Sequence, residues 1–343
     1  MFNVAIFGAG RIGQIHARNA ANSAELRLKF VVDPNREAAE ALASKTGAVV
    51  ADMDAVLGDS SIHGVIIASA TNVHLDQALA AASAGKAIFC EKPLDLDLAR
   101  ARQAGPQLTA AKMLVGFNRR FDPHFNALKA RIESNAIGKL ESVNITSHDP
   151  APPPVAYIRV SGGLFKDMTI HDFDMARWLL SEEPTEVFAS ASCLVDPAIG
   201  AAGDVDTARI LLRTGTGRLC VISNTRRSGY GYDQRIEAYG SAGTARADNV
   251  LESTVSTCTE RGTASDALQN FFLERYAEAY RREMRHFADI LRDGKTPLAG
   301  YRDGVAALVL AEAAAMSLKL NKPVTLSSPL QPANSAAQAN PSP

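Results

Sequence analysis

Two stretches of this sequence carry side chains whose types and spacing could do proton and charge chemistry. The first is the strand-like run Ala87 to Cys90, which ends in Glu91-Lys92-Pro93. A lysine ammonium at a strand end is a compact charge that can hydrogen-bond a reacting oxygen and steady its developing negative charge. A solvated surface lysine is the plainer alternative. The second stretch runs from Gly162 to Trp178. On a helix, its Asp167, His171, Asp174 and Trp178 fall at i, i+4, i+7 and i+11, on one face. Histidine is the usual general base near neutral pH, and a nearby carboxylate can orient it. Here the plainer alternative is a helix cap at Asp167 beside a satisfied histidine. The segment HDFD also suggests metal ligands, but one imidazole and two carboxylates on one helix lack a further ligand set, so no metal is expected.

A third stretch supplies binding rather than proton chemistry. The apolar run Val4 to Phe7 meets Gly8, Gly10 and Gly13, an Ala-rich helical pattern follows, and the run Leu28 to Val32 ends in Asp33. A G-x-G-x-x-G with a strand before it, a helix after it and an acid roughly 20 residues on is a dinucleotide-binding fingerprint. Gly8 permits the tight turn, Gly10 lets the backbone approach a pyrophosphate, and Gly13 lets helix and strand pack closely. The helix start at Arg11 and Ile12 offers free N–H groups and a positive dipole end to phosphates. Asp33 can accept hydrogen bonds from both ribose hydroxyls and would repel a 2′-phosphate, which points to NAD. Arg36 follows closely and can stack on adenine or accept a 2′-phosphate, so NADP is disfavoured rather than barred.

These residues need elements to position them. Short apolar strands at Val65 to Ala68, Ala87 to Cys90 and Met113 to Val115 alternate with helical segments at Pro34 to Thr46, Thr71 to Ala84, Asp95 to Thr109 and Phe121 to Ser134. That alternation means crossover units and a parallel sheet. Ligands of open α/β sheets bind outside the carboxyl ends of the strands. Ser69, Thr71 and Asn72 after one strand, Glu91 and Lys92 after the next, and Asn118 after the third therefore join the candidate cofactor residues, with His74 at the start of the helix beside them. From Lys139 onward β-like runs separated by Gly-containing turns suggest an antiparallel meander, and helical segments follow at Arg275 to Arg292 and Arg302 to Leu320. His148, in the loop SHDPAPPP, is a further candidate for the site. Ser327 to Pro343, rich in Pro, Ser, Asn, Gln and Ala, reads as a disordered tail.

Composition sets the frame. A chain of 343 residues is long enough for two domains, and 46% hydrophobic with 21% charged residues is ordinary for a globular protein. A net charge of −1 gives no reason to expect nucleic acid or an anionic membrane as partner. No apolar run reaches the length of a membrane span, and strand residues begin directly at the N-terminus, so neither a membrane anchor nor a secretory signal is expected. The four cysteines show no paired spacing and read as thiols of a reducing compartment, which points to the cytoplasm.

In chain order, GAGRIG, FVVD, FCEKPL, VGFNRRFD and GGLFKDMTIHDFDMARWL resemble the Gfo/Idh/MocA oxidoreductases over roughly residues 4–326, and among them most closely the bacterial inositol dehydrogenases. The resemblance implies an α/β N-terminal Rossmann domain (1–120) and a C-terminal α+β domain (121–326) on a largely antiparallel open sheet, which packs against other subunits in a homotetramer. It implies Lys92, Asp167 and His171 as catalytic residues, and Arg119, Asp174 and Tyr232 as lining a polyol site. The implied reaction is NAD-dependent oxidation of a cyclitol alcohol, foremost myo-inositol to 2-keto-myo-inositol. Another cyclitol or sugar (scyllo-inositol, chiro-inositol, glucose) and a non-catalytic NAD(P)-binding regulator are the alternatives. A regulator would be expected to lose the base, whereas this chain retains it.

Overall fold

The computed structural model describes residues 1–326; the tail expected at Ser327 to Pro343 lies outside them. The first sheet is built from β1 (Phe2–Phe7), β2 (Leu26–Val32), β3 (Val49–Val50), β4 (Ile62–Ile67), β5 (Ala87–Cys90) and β6 (Met113–Val115). Its order is β3-β2-β1-β4-β5-β6, and every pairing is parallel. Val4 to Phe7, Val65 to Ile67 and Ile88 to Cys90 are fully buried, as strands covered by helices on both faces require. The strand order reverses between β1 and β4, so the crevice opens at their carboxyl ends, where the glycine loop lies.

Helix boundaries follow capping chemistry. Asn35 accepts the Ala38 N–H at the start of Arg36–Thr46, and Gly47 closes that helix with φ +72°. The single helix expected over Asp95 to Thr109 is instead two short ones, Leu98–Gln103 and Gly105–Leu108. Asp97 caps the first by accepting from Ala99 N–H and Arg100 N–H, and Gly105-Pro106 opens the second. Likewise Asp122 delays the next helix to Pro123–Glu133, behind a 3₁₀ turn over Asn118–Phe121.

The second sheet contains β7 (Leu140–His148), β8 (Pro184–Ser192), β9 (Thr207–Thr214), β10 (Leu219–Thr225), β11 (Asp233–Gly240) and β12 (Gly243–Ala247); an exposed hairpin, β13 (Ser256–Thr259) with β14 (Gly262–Ser265), stands apart, and the short β15 (Val324–Thr325) completes the sheet's edge. Its order is β12-β11-β7-β10-β9-β8-β15. The antiparallel character expected is present, but not as one meander. β7 inserts between β10 and β11 and runs parallel to β10. The turns that separate β8 to β12 are local signals, while the central place of β7 is a non-local pairing. Helix Ala277–Asp293 packs on Arg11–Ala21, and helix Tyr301–Leu320 packs on both β8 and β6, so the last helices span the two sheets.

Candidate active site

The glycine loop is shaped by close backbone approach. Gly8 has φ +105°, and a Cβ there would meet Ala68 O at 2.3 Å; a Cβ on Gly13 would meet Gly8 O at 2.1 Å. A Cβ on Gly10 would meet nothing within 4 Å, so open space lies above the start of helix Arg11–Ala21, whose first turn contains no acidic residue. An anion fits that donor set. Asp33 Oδ2 accepts the Ala9 N–H (2.7 Å) and Oδ1 the Asn35 N–H (2.8 Å), which fixes the carboxylate at the mouth of the cradle. Ser69, Thr71, Asn72, Glu91, Lys92 and Asn118 follow β4, β5 and β6 along the same edge. Ser69 Oγ donates to Gln77 Oε1 (2.7 Å). Arg36 pairs with Glu40 at 2.8 Å, with its side chain 81% exposed. His74 departs from expectation. It is buried, and its ring nitrogens face the carbonyls of Pro93 (2.9 Å) and Ser69 (3.1 Å), so it ties two loops together instead of facing a ligand.

Lys92 and Asp167 meet across the crevice. Lys92 Nζ donates to the Asp167 carbonyl (2.8 Å) and stands 3.8 Å from Asp167 Oδ1. Asp167 Oδ1 accepts from Tyr157 Oη (2.9 Å), and Oδ2 lies 3.4 Å from both Arg226 Nη atoms. His171 sits edge-on to Phe117. Burial first, then the charges of Lys92 and Arg119, hold its pKa well below the usual imidazole value, so the ring is unprotonated near neutral pH. The expected Asp167–His171 contact is not made. Residues Phe165–Thr169 form a π-helical turn before the α-helix Ile170–Leu180, and the wider turn takes Asp167 out of the i, i+4 relation that a continuous α-helix would impose. His171 Nδ1 is buried with no hydrogen-bond partner among the described residues.

A buried polar wall stands behind this cluster. Arg119 donates to Asp172 through Nη1 and to Ser147 Oγ through Nη2 (3.0 Å). Asn224 Nδ2 donates to Asp172 Oδ2 (2.8 Å), and Thr169 Oγ1 to Asn224 Oδ1 (2.7 Å). Tyr232 is buried edge-on to Tyr276 and within the field of Arg119, Asp149 and Asp172. Burial pushes Asp149 up to about 7, with Arg226 and Arg119 opposing that rise.

Two expected substrate contacts are corrected. Asp174 is fully buried and bidentate on Arg120 (2.8 and 2.6 Å), in a cluster with Asp303 and Arg177. It is a structural ion pair. The acidic residue on Arg119 is Asp172, two positions earlier. His148 Nε2 bonds Ser223 Oγ (2.8 Å), and its Nδ1 stands 3.9 Å from Asp233. Neighbouring side chains of a strand point to opposite faces, so Ser147 faces Arg119 and His148 faces away from it. Residue type and spacing do not single out Tyr157 and Arg226, which also belong to this cluster, whereas Asp172 carries a signal in its place within HDFD and Asp149 in its place beside His148 in SHDPAPPP.

A second cluster underlies the Lys92 turn. His16 Nε2 donates to Glu91 Oε1 (2.7 Å), and the Lys92 N–H donates to Glu91 Oε2 (3.2 Å). Glu283 is 0% exposed, and neither of its carboxyl oxygens has a partner among the described residues. Burial, then the charge of Glu91, push it well above its ordinary value of 4.5. The folded protein therefore keeps a proton that the unfolded chain releases above that value. Stability falls as pH rises from there, by about 1.4 kcal/mol per unit, until the buried group itself ionises. Glu283→Gln is expected to melt several degrees above the parent protein at pH 7 and together with it below pH 4.5. Melting curves across that range check this, and a pH-independent difference would refute it.

Comparison with known proteins adds to this geometry. A family model described as an oxidoreductase family with an NAD-binding Rossmann fold matches residues 2–118, and a GFO/IDH/MocA C-terminal domain model matches residues 125–246. An inositol 2-dehydrogenase of Rhizobium meliloti is 46% identical, with 94% of this chain and 98% of the relative covered. A myo-inositol dehydrogenase structure from Corynebacterium glutamicum superposes with a TM-score of 0.92 at 42% identity, over 96% of this chain and 99% of that one. A scyllo-inositol dehydrogenase from Lactobacillus casei, solved with NAD(H) and scyllo-inositol bound, superposes with a TM-score of 0.87 at 28% identity, over 95% and 99%.

Proposed function

This chain belongs to the GFO/IDH/MocA oxidoreductase family, and from that membership we propose that it oxidises myo-inositol with NAD to 2-keto-myo-inositol. The observation that supports it best is the meeting of Lys92 with Asp167, beside a neutral His171, at the edge of the sheet that holds the glycine loop. Gly8 to Gly13 and Asp33 would hold the dinucleotide. NAD, when bound, supplies the hydride acceptor.

The chain's own residues do the rest. Lys92 donates a hydrogen bond to the reacting hydroxyl oxygen and stabilises the negative charge that builds there. His171, kept neutral by burial, takes the hydroxyl proton at a ring nitrogen. Asp167, turned toward Lys92 and Tyr157 rather than His171, accepts from a neighbouring ring hydroxyl. A polyol needs several polar contacts, and Arg119, Asp149 and Tyr232 bring polar groups to one wall of the cleft. On its outward face the second sheet leaves Leu211, Leu219 and Val221 about 40% exposed, interspersed with exposed Arg209 and Arg213, and on this mixed surface the subunit contacts of a homotetramer would form. The free cysteines suit a reducing cytoplasm.

The test is a panel of myo-, scyllo- and chiro-inositol and glucose, each with NAD⁺ and NADP⁺. The highest kcat/KM is expected for myo-inositol with NAD⁺. A higher value for scyllo-inositol would move the assignment to the epimer bound by the Lactobacillus casei protein. Tight NADH binding with no alcohol oxidised would favour a regulator instead.

A further inference from the structure

Asp167 has a partner that the proposed reaction does not use. Arg226, just beyond β10, is 1% exposed. Its backbone N–H donates to Asp206 O (2.8 Å), and its guanidinium lies between two carboxylates. Both Nη atoms are 3.4 Å from Asp167 Oδ2, and Nη2 is 3.6 Å from Asp204 Oδ2. Asp204 is itself anchored, its Oδ1 accepting the Leu164 N–H (3.0 Å). A buried cation is retained in a protein interior only when carboxylates compensate it, and here one of the two belongs to the reaction centre.

The consequence concerns Lys92. An ammonium has three donors and forms its tightest pair with a carboxylate at 2.7 to 2.9 Å, by a general estimate of about that range. Lys92 Nζ instead stands 3.8 Å from Asp167 Oδ1 and bonds the backbone carbonyl of that residue. Arg226 on Oδ2 and Tyr157 on Oδ1 hold the carboxylate in an orientation that denies Lys92 the close pair. Two donors of the ammonium are thereby left for a substrate oxygen.

We propose that Arg226 is a positioning residue, which restrains Asp167 so that Lys92 stays available to the reacting hydroxyl. This rests on the dehydrogenase reading above. Arg226 acts through Asp167 and touches neither substrate nor cofactor.

The experiment is a double-mutant cycle on the full-length protein, with whichever alcohol the panel identifies as best. Arg226→Gln is expected to lower kcat by about 10- to 100-fold, with NADH affinity and KM for NAD⁺ changed less than about twofold. Arg226→Lys recovers part of the loss. In an Asp167→Asn background, Arg226→Gln has no further effect, because the restrained carboxylate is already gone. An equal loss in both backgrounds, or wild-type kcat in a cooperatively melting Arg226→Gln protein, overturns the proposal. Should Arg226→Gln fail to melt cooperatively, Arg226→Lys is carried through the same cycle, where a loss confined to the Asp167 background supports the proposal and an equal loss in both refutes it. Absence of any alcohol oxidation by the wild-type protein would instead remove the dehydrogenase reading itself.

Discussion

Lys92→Ala is expected to lower kcat for the preferred cyclitol by about 10²- to 10³-fold, with KM for NAD⁺ within about threefold of wild type. The size follows from the position. β5 delivers Lys92 to the crevice, Glu91 accepts the Lys92 backbone N–H, and the ammonium bonds a carbonyl of the facing element. No other lysine ammonium among the described residues is hydrogen-bonded to Asp167, so removing this one leaves the charge on the reacting oxygen without its closest stabiliser. A preorganised donor acts on the transition state more than on the bound alcohol, so the loss belongs in kcat. Steady-state kinetics against both substrates decide the matter; a change confined to the KM of the alcohol would reduce Lys92 to a binding contact.

His171→Ala is expected to lower kcat by about 10²- to 10⁴-fold, the range for loss of a positioned general base. The pH profile adds a second check. Burial and two neighbouring cations keep His171 neutral well below its usual pKa, so its protonation cannot produce an acid limb near 6.5 in kcat/KM. Asp149 can produce one, because burial pushes its carboxyl up to about 7. Activity would then change as pH falls through that value and Asp149 takes up a proton. Asp149→Asn should abolish a limb near 7 and leave the base working. A limb near 6.5 that survives in Asp149→Asn and vanishes with His171 would contradict the neutral imidazole. Near-wild-type turnover by His171→Ala would end its assignment as the base.

Much of the first half of the chain is readable without coordinates. Gly8, Gly10 and Gly13 between an apolar strand and an Ala-rich helix, with Asp33 at the end of the next strand, specify a local backbone path that few other residues permit. The continuous apolar runs of β1, β4 and β5 announce a parallel sheet for the same reason, since both faces must be buried. Asp174 and His148 mark where such reading stops. Both have suitable side chains in suitable segments. Yet one is held on Arg120, and the other lies on the wrong side of a pleat whose parity is set by which residues of β7 meet β10 and β11.

Residue type and short-range spacing thus determined the nucleotide cradle, the lysine at the strand end and the presence of an Asp–His segment, because sterics, periodicity and capping act over a few neighbours. Tertiary packing alone decided that Asp167 turns to Lys92 and Arg226 instead of His171, that Asp172 rather than Asp174 meets Arg119, and that Glu283 is shut away without a partner among the described residues. Those outcomes depend on a π-helical turn and on segments 50 or more residues apart coming together. Their contact energies are settled by burial and charge compensation in three dimensions, which no local pattern of residues encodes.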